Sequence, residues 1–248
     1  MKVYIQRHGN TFQFDGAYAA YEGADRRGME VILFDDIMEV PARREVMVIG
    51  SIDNTKVFFQ RLGMKIPNAI NLPESIMPYI HRKIEYMTRD EFFERTVCPI
   101  FVKPAFEVKM GMGHSGSGVI KNESNKRLVM SDFKENIMLL TSEVVNMVSE
   151  YRVYVSKLHG ILGMKHYQGD EFIYPDNSYI RSIVDILMND ETLPASFSVD
   201  FAVIEPENNF RYTEVIECQD AWSIGSYGLD GEVYFNFLLE RWKQLMKK

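Results

Sequence analysis

The sequence predicts a mixed α/β fold in which a small parallel βαβ unit is followed by a strand-rich region. Two observations carry this prediction. Strand-like and helix-like segments alternate through residues 1–65, as in a parallel sheet. Residues 66–80 contain three prolines and are typical of a linker, and strands dominate the pattern from Cys98 onward.

The first region consists of short apolar strands and of helices that end at glycines. Gly28 and Gly63 each follow a helix-like segment, where a residue with positive φ stops the helix. The predicted elements are strand Val3–Gln6, helix Ala17–Arg27, strand Val31–Phe34, strand Val46–Gly50 and helix Thr55–Leu62.

The second region begins with a predicted helical pair and continues with strands and hairpins. Thr88 is placed to cap the second helix of the pair. The predicted elements are helices Met77–Tyr86 and Arg89–Thr96, strands Pro99–Lys103 and Val119–Lys121, the extended segment Leu139–Met147, the hairpin Glu150–Ser156 with Ile161–Tyr167, helix Tyr179–Met188, a hairpin over 197–219 that turns at Asn208-Asn209, and helix Glu232–Met246.

Composition excludes several classes of function. The net charge is -7, and no basic stripe marks a surface for duplex nucleic acid. No apolar run approaches the length of a membrane span, and the N-terminus lacks the pattern of a signal peptide. Cys98 and Cys218 fit no metal spacing, so reduced thiols in a cytoplasmic protein are expected.

Three oxygen-bearing side chains in the last third predict a magnesium site. Asp200 lies on one strand of the 197–219 hairpin, and Glu217 and Gln219 lie two residues apart on the other. Alternate strand residues share a face, so Glu217 and Gln219 point the same way. Mg²⁺ prefers such hard oxygen ligands. A solvated hairpin face is the alternative.

A lysine and a glycine-rich segment upstream indicate phosphate binding. Lys103 ends an apolar strand, where it either meets an anion or snorkels at a sheet edge. Residues 111–118 match G-x-G-x-x-G, but the strand-like Val119-Ile120 that follows excludes a dinucleotide fold. Such a glycine-rich hairpin closes over phosphates with its backbone N–H groups, or it is a flexible surface turn.

Two cations on one predicted hairpin suggest an anion site. Arg152 lies on its first strand and Lys165 on its second, and like charges so placed repel unless something negative lies between them. A salt bridge from Glu150 or Asp170 is the alternative. Upstream, the short segment 142–145 offers main-chain groups for adenine, with a plain core strand as the alternative.

A separate motif follows the first strand. Arg7-His8-Gly9-Asn10-Thr11 matches the Arg-His-Gly-x-Thr signature of histidine phosphatases, in which the histidine is the nucleophile. His159 lies in a predicted turn and His166 within a strand, so neither is a convincing second catalytic histidine.

Taken in order, these parts resemble the ATP-grasp superfamily, above all its Arg-to-Lys clade of phage and bacterial proteins with one eukaryotic translation-initiation assembly factor. The matching segments are residues 4–7, 30–34, 100–104, 142–145, 150–153, 165–170 and 217–228. The resemblance implies an ATP-grasp fold with three parts. These are a pre-grasp domain over 1–65 and two subdomains, 66–141 with the lysine strand and flap, and 142–248 with the metal strands.

The resemblance also implies a role for each matching residue. Asp200, Glu217 and Gln219 would bind Mg²⁺, although the family usually has Asn at the position of Gln219. Lys165 would take the position that gives the clade its name, and Arg152 would stabilise an acyl-phosphate or hold a carboxylate. The implied ATP-binding residues are Lys103, Lys109, Gly113, His114, Ser115, Gly116, Glu143, Val145 and Glu150. The implied substrate residues are Arg7, Trp222, Ser223 and Tyr227.

The activity that the resemblance implies is ATP-dependent ligation of a carboxylate to an amine or thiol, through an acyl-phosphate and with release of ADP and phosphate. The acceptor would be a small molecule, a peptide or a modified base. An ATP-binding assembly factor and the histidine phosphatase are the two alternative functions.

Overall fold

The structure, a computed structural model, describes residues 1–12, 14–95, 99–106, 117–131, 133, 136–207 and 210–247. Three four-stranded sheets form within these residues. The first is mainly parallel and the other two are antiparallel, which confirms the predicted mixed fold. The Asn208-Asn209 turn and Cys98 lie outside the described residues.

The first sheet is built around β1 (Lys2–His8), with β3 (Val31–Phe34) and β4 (Val46–Ile49) parallel on either side. The short β2 (Thr11–Phe12) pairs antiparallel with the end of β1. Helix α1 spans Asp15–Arg26 and helix α2 spans Ile52–Arg61. Gly28 and Gly63 follow them at φ +64° and +67°, a region that glycine enters without strain, so the predicted helix ends are confirmed.

The core of this first unit is completed by the other end of the chain. Helix α6 (Gly231–Met246) packs against α1, and its buried aromatic residues share one core with β1, β3 and β4. The indole N–H of Trp242 donates to the carbonyl of Val46 at 2.9 Å. The boundaries 1–65, 66–141 and 142–248 stay a prediction, and α6 returns to pack on the first of these parts.

The second sheet has the strand order β5-β8-β6-β7, with all pairs antiparallel. Its strands are β5 (Ile84–Thr88), β6 (Ile100–Pro104), β7 (Gly118–Ile120) and β8 (Met138–Ser142). Helix α3 (Arg89–Glu94) begins at a capping box made by Thr88 and Glu91, which confirms that Thr88 caps this helix.

The third sheet has the order β10-β9-β11-β12, again antiparallel. Its strands are β9 (Met147–Ser156), β10 (Gly160–Gly169), β11 (Ser196–Ile204) and β12 (Tyr212–Asp220). Helix α5 (Asn177–Met188) packs on one face of this sheet, in a core with Val153, Val199 and Phe201. Both predicted hairpins are confirmed.

One predicted helix is wrong and one helix was missed. Residues 77–86 do not form a helix: a 3-10 helix spans Glu74–Tyr79, and β5 then begins at Ile84. Pro78 lacks the N–H of a continuing helix, and β5 gains a full ladder of bonds to β8. Helix α4 (Glu123–Ser131) was missed, although Asn122 accepts the N–H of Asn125 at 2.8 Å as an N-cap does.

None of the helices in the described ranges is long and apolar enough to cross a membrane.

The closest approach between α1 and α6 predicts a stability effect. A Cβ atom added at Gly23 would overlap the carbonyl of Gly231 and lie 2.6 Å from Cβ of Phe235. We expect Gly23→Ala to lower the free energy of unfolding by about 1–3 kcal/mol, because the two helices cannot move apart without opening their shared core. Thermal unfolding measures this loss. Gly118→Ala is the matched control, since a Cβ there meets nothing within 4 Å.

Candidate active site

Four charged side chains form a row across the third sheet. The strand register aligns Lys165 with Arg152, Arg152 with Asp200, and Asp200 with Glu217. Residues paired across neighbouring strands project to the same face, so these four side chains share one face of the sheet. Two cations are followed by two carboxylates, and Asp200 lies beside Arg152 on the side away from Lys165. The anion site suggested between Arg152 and Lys165 stays a prediction.

Arg152 and Asp200 form a buried two-point ion pair in the centre of this row. Nε of Arg152 donates to Oδ1 of Asp200 at 2.8 Å, and Nη2 donates to Oδ2 at 2.7 Å. Burial alone lowers the pKa of Arg152, but the hydrogen bond and charge of Asp200 outweigh it and raise that pKa. The alternative of a Glu150 or Asp170 salt bridge is wrong, because Asp200 lies directly opposite Arg152 on the next strand.

Lys103 reaches the same row from the second sheet. It stands on β6 beside Leu140 of β8, and its side chain is 11% exposed. Nζ of Lys103 lies 2.5 Å from Oε2 of Glu217 on β12. The lysine strand and the metal strand predicted from the sequence therefore meet at this contact between the two antiparallel sheets.

Gln219 lies beside both carboxylates of the row. Its Nε2 donates to Oδ2 of Asp200 at 3.1 Å and to Oε1 of Glu217. A half-turn of the amide would present Oε1 to the same place. Cys218, between Glu217 and Gln219, points into the core on the opposite face of the sheet, and burial raises the pKa of its thiol.

The donor set at this place fits Mg²⁺. Two carboxylates and an amide oxygen are hard ligands of the kind that Mg²⁺ takes together with water or phosphate. Ser198, the strand partner of Gln219, has a buried hydroxyl without a hydrogen-bond partner in the part of the chain that the structure describes. No group of three His, Cys, Asp or Glu side chains gathers anywhere in the described residues, so the oxygen donors at this place are the two carboxylates and the amide of Gln219.

Two tyrosine rings cover the guanidinium of Arg152. Its Cζ lies 4.8 Å from the ring centre of Tyr227 and 5.6 Å from that of Tyr167, and the rings stack 4.9 Å apart. The hydroxyl of Tyr167 donates to Oε2 of Glu150 at 2.9 Å. Burial raises the pKa of Glu150, and the hydrogen bond from Tyr167 offsets part of that rise.

A cavity of about 280 Å³ opens beside Arg152 and Gln219. One wall is the end of β4 and the start of α2 at Gly50 and Ser51, and the opposite wall is the loop 221–230 after β12. The residues predicted for substrate that line this cavity are Trp222, Ser223 and Tyr227. Its lining, taken over the described residues, does not include Arg7, which is exposed and pairs with Asp35 at 2.6 Å.

The loop 221–230 is held by polar contacts from two elements, β9 and α1. The hydroxyl of Tyr154 lies 2.7 Å from the carbonyl oxygens of both Gly225 and Ser226. Ser226 donates to Asp15 at 2.5 Å. Tyr227 itself adopts φ +46°, a strained conformation for a side chain of its size, which places its ring over Arg152.

The other predicted nucleotide residues fall into two groups. Glu143 and Val145 lie in the segment that joins β8 to β9, and the Glu143 carboxylate accepts the N–H of Lys83 at 2.8 Å. That segment joins the two antiparallel sheets, as a hinge would. The predicted residues Lys109, Gly113, His114, Ser115 and Gly116 lie outside the described residues.

Arg82 is a central residue of the site that no pattern in the sequence predicts. It is 8% exposed, and its guanidinium donates to the carbonyls of Val215 and Ile216, just before Glu217, and to Ser142 at the end of β8. It also lies 3.5 Å from Glu214, whose side chain is fully buried. The sequence predicts Arg82 within helix Met77–Tyr86, where an arginine is typical of a solvated face, and only the tertiary fold surrounds it.

The sequence matches the family model of the ATP-grasp domain, R2K clade family 2, over residues 79–237, which is more than half of the chain. The chain belongs to this ATP-grasp family. The matched range does not include the Arg7-His8-Gly9-Asn10-Thr11 motif, and the phosphatase interpretation of that motif stays a prediction. No curated protein matches the chain by sequence.

Solved ATP-grasp structures share the fold at low sequence identity. A RimK domain ATP-grasp protein from Sphaerobacter thermophilus superposes with a TM-score of 0.59 at 10% identity, covering 96% of this chain and 100% of that one. D-alanyl-alanine synthetase A from Vibrio cholerae superposes with a TM-score of 0.57 at 12% identity, covering 100% of this chain and 98% of that one. N5-carboxyaminoimidazole synthetase from Staphylococcus aureus, complexed with ADP, superposes with a TM-score of 0.55 at 14% identity, covering 97% of this chain and 77% of that one.

The buried position of Arg82 predicts a large stability effect. We expect Arg82→Met to destabilise the protein by about 3–5 kcal/mol, because it leaves the Glu214 carboxylate buried without its charged partner. Chemical unfolding followed by tryptophan fluorescence measures this. Adding Glu214→Gln should restore part of the loss. Arg211→Met, which breaks the exposed pair with Glu205, is the control and should cost less than about 1 kcal/mol.

The raised pKa of Glu150 predicts a pH dependence of stability. The Glu150 carboxyl group binds its proton more tightly in the folded protein than in the unfolded chain. The ionised carboxylate therefore lowers the free energy of unfolding at pH values above the raised pKa, and this effect disappears at pH values below the ordinary pKa of 4.5. We therefore expect the Glu150→Gln variant to have a higher melting temperature than the parent protein at about pH 8, and no such advantage at about pH 4.

Differential scanning fluorimetry of both proteins across this pH range provides the measurement. The exposed Glu191→Gln variant controls for removal of one surface carboxylate. A Glu150→Gln advantage that is the same at both ends of the range would show that the carboxylate is not desolvated.

Proposed function

We propose that this protein is an ATP-dependent ligase that activates a carboxylate as an acyl-phosphate and transfers the acyl group to an amine or thiol. One observation carries the proposal. Lys103 from one antiparallel sheet pairs with Glu217 of the other, and Gln219 bonds to both Glu217 and Asp200. The cation proposed for phosphate and the side chains proposed for Mg²⁺ therefore lie together. Membership in the ATP-grasp family supports it.

The triphosphate of ATP would lie between the two antiparallel sheets. Lys103 and Lys165 would contact its phosphates, and Lys165 has no ion-pair partner within the described ranges, which leaves its charge for an anion. Asp200, Glu217 and Gln219 would hold Mg²⁺, which when bound supplies positive charge to the phosphate oxygens. Lys109, the flap over 111–118, the adenine contacts of Glu143 and Val145 and the ribose contact of Glu150 remain predictions.

The carboxylate substrate would enter the cavity beside Arg152. The Nε–Nη2 edge of that guanidinium binds Asp200, so Nη1 is the group left to meet a substrate oxygen. The walls from Trp222 and Tyr227 are apolar, and a volume of about 280 Å³ lies at the small end of ligand sites. We therefore propose a carboxylate of amino-acid size with an apolar body.

The reaction would proceed in two displacements. A carboxylate oxygen forms a bond to the γ-phosphorus while the bond to the ADP oxygen breaks and ADP leaves with the electron pair. The acceptor nitrogen or sulfur then bonds to the acyl carbon, the carbon–oxygen bond to phosphate breaks, and phosphate leaves with the electron pair and takes up the proton that the acceptor loses. Arg152, Lys165 and Lys103 would offset the negative charge that develops. A cytoplasmic location, where ATP is supplied, is part of the proposal.

Nucleotide binding provides the first test. Calorimetric titration with a non-hydrolysable ATP analogue and Mg²⁺ should give saturable binding, and Lys103→Ala and Glu217→Ala should each weaken it at least about tenfold (about 1.4 kcal/mol) by removing a direct ligand. Lys65→Ala and Glu191→Ala are the charge-matched controls, since both residues are exposed and outside the site. Failure of the parent protein to bind would contradict the proposal.

Turnover provides the second test. ADP release should require an acceptor, and a panel of free amino acids should stimulate it more than peptides of the same terminal residue, because the cavity is small. Binding of ATP without any acceptor-dependent ADP release would instead favour an ATP-binding assembly factor. Arg152→Lys should lower turnover more than nucleotide affinity, because it removes the two-point contact with Asp200.

A further inference from the structure

An apolar groove lies along α6, on a surface that none of the proposed catalytic residues lines. Its volume is about 610 Å³, more than twice that of the cavity beside Arg152. The floor is made by Leu162, Val233 and Phe237, and Leu158 at the β9–β10 turn stands at its edge. Leu158 is 75% exposed, so the folded chain does not bury it.

The rim of this α6 groove is positively charged. Arg27, Lys243 and Lys247 contribute three permanent cations, and Glu240 is the one carboxylate among the lining residues that the structure describes. Neither lysine has an ion-pair or hydrogen-bond partner for its ammonium group within those residues, and Arg27 has a long contact of 3.9 Å to Glu232. On a chain with a net charge of -7, this is a local reversal of sign.

We propose that the α6 groove binds an acidic peptide segment of a partner protein, with a large apolar side chain in the cavity and carboxylates against Arg27, Lys243 and Lys247. An apolar floor ringed by exposed cations fits a segment that carries a large apolar side chain between carboxylates, and charge complementarity selects an acidic partner. The volume accommodates one or two side chains of leucine size.

The composition of the groove favours a peptide over a nucleic acid. Single-stranded nucleic acids bind on exposed aromatic rings along a basic path. Here Phe237 is fully buried, the rest of the apolar floor is aliphatic, and His159 is the single exposed ring among the described lining residues, which is too few for a path of stacked bases. The acidic chain as a whole also repels a polyanion, whereas a short acidic segment meets mainly the local cations.

Fluorescence anisotropy tests the proposal with the full chain and a labelled peptide in which a leucine pair is flanked by glutamates. We expect saturable binding that weakens at least about tenfold between about 0.05 and about 0.5 M salt, because the rim charges are exposed and screened. Replacing the glutamates by glutamines, or the leucines by alanines, should each weaken binding at least about fivefold.

Matched variants locate the site. We expect two variants to weaken peptide binding at least about fivefold: the double variant Lys243→Glu with Lys247→Glu, and separately Leu158→Ser. Both should bind the ATP analogue as the parent does, which verifies that they fold. A failure of this proposal is therefore distinct from a failure of the ligase proposal. Lys65→Glu with Lys121→Glu gives the same change in net charge outside the groove and should have little effect.

Four results would overturn the proposal, and the first three concern ligand binding. These are absence of peptide binding, binding that is indifferent to the groove variants, and tighter binding of an oligonucleotide of equal charge. Self-association of the chain that Leu158→Ser abolishes would also overturn it, since a second copy would then be the occupant; sedimentation velocity measures this.

Discussion

The ion pair between Arg152 and Asp200 is the interaction on which the architecture of the site depends. Each group is almost fully buried, and neither charge is tolerable in that position without the other. The two-point contact also requires that β9 and β11 pair in one register, since a shift by one residue would turn Arg152 to the opposite face. Lys165 and Glu217 take their places in the row from that register.

The charges of the site are close to mutually satisfied. Arg152 neutralises Asp200, Lys103 neutralises Glu217, and Gln219 bridges the two carboxylates. Binding of a metal–nucleotide complex would therefore replace these ion pairs. The carboxylates of Asp200 and Glu217 would bind the metal, and Lys103, released from Glu217, would bind phosphate. In the proposed reaction, metal binding and nucleotide binding are consequently coupled through Lys103 and Glu217, which belong to different sheets.

The sequence predicted the elements whose signals are local. Apolar alternation located β9 to β12, glycines at positive φ marked the ends of α1 and α2, and the spacing of Glu217 and Gln219 placed both on one face. Contacts between distant segments could not be read in this way. The partner of Arg152 was misjudged because Asp200 is 48 residues away in sequence, and the role of Arg82 depends on carbonyls that only the folded β12 presents to it. The helix predicted over Met77–Tyr86 is wrong because the pairing of β5 with β8 outweighs a weak helical preference of this segment.

The packing of α6 on the first sheet has a consequence for how the chain is made. The strands and helices of residues 1–62 leave the ribosome first, yet the core they share lacks Trp222, Phe235 and Trp242 until the last part of the chain has been synthesised. Contacts of such large sequence separation form slowly, and an uncovered apolar sheet is prone to aggregation in the meantime. During translation the N-terminal segment would therefore be a client for chaperones, and truncation before α6 would leave it unable to reach its native state.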